Sequence, residues 1–104
     1  MIGLLNVGSL TPQSAMYSQV GSNVIFTVNF SMRPSGGFSV FNASVSVPTN
    51  LPINLNCSGV FSGEFCMGYF YKKDSNNLFV EIYSFTTLVN TSSYNICIQG
   101  QYTL

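Results

Sequence analysis

The sequence predicts an all-β fold, an antiparallel β-sandwich, on three observations. The stretch VIFTVNFSM (24–32) alternates without a fault: Val24, Phe26, Val28, Phe30 and Met32 share one face, and Ile25, Thr27, Asn29 and Ser31 the other. A period of two over nine residues marks a half-buried strand. Such runs recur every ~8–12 residues with turn signals between them, which is the spacing of sandwiches and barrels. No stretch carries the 3.6-residue period of a helix.

The elements follow in order. SAMYSQV (14–20) is a weaker strand, and GSN (21–23) turns it into the 24–32 strand as a hairpin. RPSGG (33–37) ends that strand. FSVFNASVSV (38–47) is the next, with Phe41, Ala43, Val45 and Val47 in phase and a slip near Val40 that predicts a bulge. PTNLP (48–52) breaks the ladder, since proline has no N–H to give it. INLNC (53–57) is a short strand and SGVFSG (58–63) a loop. EFCMGYFYKK (64–73) is apolar on both faces, DSNN (74–77) is a hairpin turn, and LFVEIYSF (78–85) sets Leu78, Val80 and Ile82 against Phe79, Glu81, Tyr83 and Phe85. TTLVNTSS (86–93) connects to a last strand, 94–104. Its inner row is Tyr94, Ile96, Ile98, Tyr102 and Leu104, and its outer row is Asn95, Cys97, Gln99, Gln101 and Thr103.

A chain of 104 residues makes one domain. Only 6% of it is charged, and Arg33, Lys72 and Lys73 cancel Glu64, Asp74 and Glu81. That excludes the electrostatic footprint of a nucleic-acid binder and the basic patch of a protein held on an anionic membrane. No apolar run reaches the ~20 residues of a helical membrane span, so no membrane insertion is expected. A neutral chain that is 46% hydrophobic tends to associate, and copies of itself are the simplest partner.

Catalytic groups are scarce. With no histidine, neither a Ser–His–Asp nor a Cys–His arrangement is possible. Asp74 lies at a hairpin tip beside two lysines, while Glu64 and Glu81 face each other across the 64–85 hairpin with nothing to raise either pKa. Cys57, Cys66 and Cys97 lack electropositive neighbours and read as small buried hydrophobes, although Cys57 and Cys66 flank a loop short enough to close. They include no CxxC pair, so neither a metal site nor a cofactor is expected. Asn29, Asn42, Asn56 and Asn90 head glycosylation-type triplets, which chance supplies in so Asn/Ser/Thr-rich a chain. The expectation is a protein that is not an enzyme.

The hairpin 64–85 carries more apolar surface than one sheet face can bury. Its surplus aromatics, Tyr69, Tyr71, Phe79, Tyr83 and Phe85, form one broad patch, which marks a subunit interface, a ligand platform or a sheet that curls over it.

The order of these pieces resembles the distal head domains of viral and phage fibres. MYSQVGSNVIFTVNFSM is similar to their opening strand, turn and long alternating strand. ASVSVPTNLP resembles the following strand that ends in proline, and NNLFVEIYSFTTLVNTSSYNICIQGQYTL the closing pair. The resemblance covers residues 16–104 in pattern order and residue class, with no catalytic motif. It implies a compact, jelly-roll-like antiparallel sandwich of the adenovirus-fibre-head kind, assembled as a homotrimer on the virion surface and binding a host receptor, often a glycan. In that frame residues 1–13 are an N-terminal arm or the end of a shaft, and 14–104 the head. Leu4, Leu5 and Val7 would gather near the three-fold axis, with Tyr69, Tyr71, Phe79, Tyr83 and Phe85 helping to bury the interface. Loops 33–37, 48–52, 58–63 and 86–93 become the candidate receptor surfaces. The alternatives are a capsid decoration protein, whose trimer would clamp a shell, and a carbohydrate-binding module.

Overall fold

The computed structural model describes residues 1–47, 51, 56–63 and 66–104, with the backbone alone for 56–63, 69, 70 and 72. Among these residues the chain is all strand and turn. The strands are β1 (Ile2–Gly3), β2 (Val7–Val20), β3 (Asn23–Pro34), β4 (Phe38–Ser46), β5 (Asn56–Gly63), β6 (Cys66–Asp74), β7 (Asn77–Leu88) and β8 (Tyr94–Thr103). They form two antiparallel four-stranded sheets, in the orders β1-β4-β7-β6 and β2-β3-β8-β5. The sheets share one core in a sandwich-like architecture. β3 gives it Val24, Phe26, Val28, Phe30 and Met32, and β4 gives Phe41, Ala43 and Val45. Leu78, Val80 and Ile82 enter from β7, and Ile96, Ile98 and Tyr102 from β8. These are the inner rows that the alternation predicts.

The β2–β3 hairpin closes through a two-residue turn. Gly21 has φ 61° while Ser22 stays out of the left-handed region, so glycine takes the first central position of a type II′ turn, whose twist suits a hairpin. At the β6–β7 turn the Asn76 N–H and the Asn77 side-chain amide both donate to the Asp74 carboxylate. These bonds hold Asp74 below its ordinary carboxylate pKa. The stabilisation is present at neutral pH and lost as acid protonates the group.

Several boundaries differ from the sequence reading. SGVFSG is not a loop. Residues 56–63 form β5, paired along β8 with Gly59 opposite Gly100. Glycine and serine disfavour strand locally, but β8 offers a full row of backbone groups on that side, and tertiary pairing overrides propensity. β3 runs on to Pro34, and β7 to Leu88, which is buried. Leu104 lies past the end of β8 and is exposed. Residues 7–13 of the predicted arm belong to β2 and pair with β3. Asn6, with φ 61°, turns the chain from one sheet to the other, and its amide donates to the Val40 carbonyl. The register slip predicted near Val40 lies between Phe38 and Val40. INLNC falls largely outside the described residues, as do most of PTNLP and Glu64.

Charge is segregated between the sheets. Within the strands, Lys72, Lys73, Asp74 and Glu81 all lie on β6 and β7. The β2-β3-β8-β5 sheet carries Arg33 alone, and residues 1–32 contain no charged side chain.

Candidate functional site

The outward face of the β1-β4-β7-β6 sheet is the candidate. It is built on β7, whose alternation sends Leu78, Val80 and Ile82 inward and leaves Phe79, Glu81 and Tyr83 half-buried on the other side. Register then assembles cross-strand rows. Ser44, Phe79 and Tyr71 form one, and Val40, Tyr83 and Met67 another, with Asn42 opposite Glu81 between them. Cross-strand neighbours of this kind are the units of sheet stabilisation. The Tyr71 and Phe79 rings lie 5.1 Å apart at 31°.

Glu81 sits at the centre of this face. The Tyr83 hydroxyl donates to its Oε2 at 2.6 Å and the Tyr71 hydroxyl to its Oε1 at 3.3 Å. Hydrogen bonds to an ionised acceptor are shorter and stronger than neutral ones. The two phenols let a carboxylate rest among aromatic rings without a counter-ion as its sole support. Asn42 is treated differently: its Oδ1 is buried and has no hydrogen-bond partner among the described residues. The Asn42 backbone is satisfied, since its C=O accepts from Leu4 N–H at 2.8 Å and its N–H donates to the Leu5 carbonyl at 3.2 Å.

Of the residues singled out by sequence, Tyr71, Phe79 and Tyr83 come together around Glu81. Phe85 follows on β7 and is 72% exposed. Leu4 and Leu5, both exposed, flank the same sheet on the far side of β4. Val7 does not share this face; it opens β2 and packs against the core. Tyr69 pairs with Glu81 in register, and its side chain lies outside the described residues, as does that of Cys57. Cys66 is buried and Cys97 half-buried. Sequence reasoning missed Ile2, Val40 and Asn42, although their positions on β1 and β4 were open to period-two reading once the strand order was known.

Asn42→Val is expected to raise stability by about 1 kcal/mol, since a buried unpaired acceptor costs on the order of 1–3 kcal/mol and valine suits a strand. A thermal melt should show a midpoint several degrees higher. An unchanged or lower midpoint would mean that Oδ1 is satisfied.

Two recesses lie elsewhere. Because β1 spans two residues and β2 fourteen, the inner side of β2 is partly uncovered. A slot of about 340 Å³ opens there between Pro12, Ala15, Tyr17 and Val45. The Tyr17 hydroxyl crosses it to donate to the Ser46 carbonyl at 2.9 Å, and burial pushes the Tyr17 phenol pKa up. A smaller recess of about 110 Å³ lies by Met16 and Ile25. No group of three His, Cys, Asp or Glu side chains among the described residues is placed to hold a metal ion.

A scan against protein-family models finds no match, and searches of curated proteins and of solved structures likewise find none.

Proposed function

We propose that the protein is a virion surface module, the homotrimeric head of a fibre or spike, which attaches to a host receptor and acts by binding, not chemistry. The observation that carries this reading is the outward face of the β1-β4-β7-β6 sheet. Ile2, Met67, Tyr71 and Phe85 are all exposed apolar or aromatic residues of that face. Isolated proteins rarely present so wide an apolar face to water. Glu81 already has two phenol donors, so burying it between copies leaves neither carboxylate oxygen bare.

The receptor surface in this reading is one end of the sandwich. There the β3–β4 turn (35–37) and the β7–β8 connection (89–93) meet, tied by the Arg33 guanidinium donating to the Asn90 carbonyl at 3.3 Å. The finer jelly-roll, fibre-head-like description of the fold belongs to the same proposal, as does a capsid decoration role for the same trimer.

One observation favours a second reading, a monomeric carbohydrate-binding module. An aromatic ring pair beside a carboxylate offers the stacking surface and the acceptor that a neutral sugar uses.

The test is the solution mass by light scattering across a dilution series. A trimer of 11.3 kDa chains, or a multiple of it, supports the attachment-head reading. A monomer at every concentration would overturn it, and a glycan array would then test the second reading.

A further inference from the structure

We propose that β2 is a second self-association edge, through which two copies pair antiparallel, Ser14–Val20 against Ser14–Val20, to extend the β2-β3-β8-β5 sheet across a two-fold axis. The inference stands apart from the three-fold face, because β2 lies on the other sheet.

Among the described residues β2 has a strand neighbour on one side, β3. Natural proteins blunt such edges with shortness, lysine, proline or bulges. β2 is fourteen residues long and holds no charge. Pro12 and the two register shifts blunt its first half. From Ser14 to Val20 the pairing with β3 is unbroken, and Met16 and Val20 are 73% and 67% exposed.

Turn geometry fixes which backbone groups are available. In a two-residue hairpin the closing pair, Val20 and Asn23, is the hydrogen-bonded one. Alternation makes Ser18–Ile25 and Met16–Thr27 the next such pairs. The N–H and C=O of Ala15, Tyr17 and Gln19 therefore point away from β3.

A two-fold axis at Tyr17 sets those groups against each other. Tyr17 then faces the second copy's Tyr17, and Ala15 faces the second copy's Gln19. On the outer row Met16 meets the second copy's Ser18, and Ser14 its Val20. No charge opposes a like charge, because residues 1–32 contain none. A charged partner finds nothing to pair with on this edge, whereas an identical neutral strand matches both its backbone and its side chains.

Ala15→Pro removes one outward N–H and no bond to β3, so the fold is retained while pairing is blocked. Ser18→Lys places a charge on the outer row beside its own symmetry mate. To separate this contact from the three-fold face, both are made in a Phe85→Lys background and sized by light scattering, with far-UV circular dichroism reporting the fold. Phe85→Lys protein is expected as two copies at high concentration, and each β2 variant should raise its dissociation constant at least tenfold. Ala15→Pro alone should leave any face-driven assembly intact. A Phe85→Lys protein that is a single copy at all concentrations, or one whose mass neither Ala15→Pro nor Ser18→Lys alters, overturns the proposal. If Ala15→Pro unfolds the chain, Ser18→Lys decides.

Discussion

Phe26→Asp is expected to abolish folding, and Thr27→Asp next to it to leave the fold intact. Phe26 is 3% exposed at the centre of β3, and its ring lies 6.1 Å from that of Tyr17 and 6.0 Å from that of Tyr102. Across the ladder it pairs with Tyr17 on β2 and Gly100 on β8, neither of them basic. An aspartate there loses the aromatic packing and buries a carboxylate without a partner. The two costs together are several kcal/mol, against a total stability of about 5–15 kcal/mol for a domain of this size. Thr27 faces outward, opposite Met16 and Gln99, where water solvates a charge. Far-UV circular dichroism with a thermal melt separates the two outcomes. If both variants melt alike, the inner and outer rows of β3 are not those described.

Residues 24–32 show why much of this fold was legible in the sequence. Strand β3 is buried on one side along its whole length, so each inward position must be apolar and the period of two is written without interruption. The same holds for Phe41 to Val45 on β4 and for Leu78 to Ile82 on β7. β5 was illegible for the opposite reason. Its glycines and serines form a strand because β8 lies beside them, and that neighbour is distant in sequence. β2 was half legible. Its inner row is scarcely covered, because β1 is too short to lie over it, so Thr11 to Gln13 were under no pressure to alternate. At the candidate site the aromatic residues were visible one by one in β6 and β7. The pairing of Asn42 with Glu81 depends on strand order, which β4 and β7 acquire only when the chain between them crosses to the other sheet and back.

In the Ala15→Pro background, Phe85→Lys is expected to take the protein from three copies to one, while Glu81→Gln is expected to leave it at three. Phe85 is the most exposed aromatic side chain of the described outer face, so a lysine there costs the isolated protomer almost nothing. In an assembled face the same ammonium is buried without a partner, which costs several kcal/mol per copy and falls on all three copies at once. Glu81→Gln keeps the size of the side chain and an acceptor for one phenol, and it removes a charge that assembly must desolvate. Asn42→Val is the control, since it stabilises the protomer at an atom buried beneath the surface that a neighbouring copy would touch. It should therefore raise the melting midpoint and leave the mass at three copies. A carbohydrate platform makes the reverse pattern: Phe85→Lys leaves the mass at one copy, as in the parent, and Glu81→Gln cuts sugar binding by removing its strongest acceptor. Mass and glycan binding measured on these variants therefore assign the face to one occupant or the other.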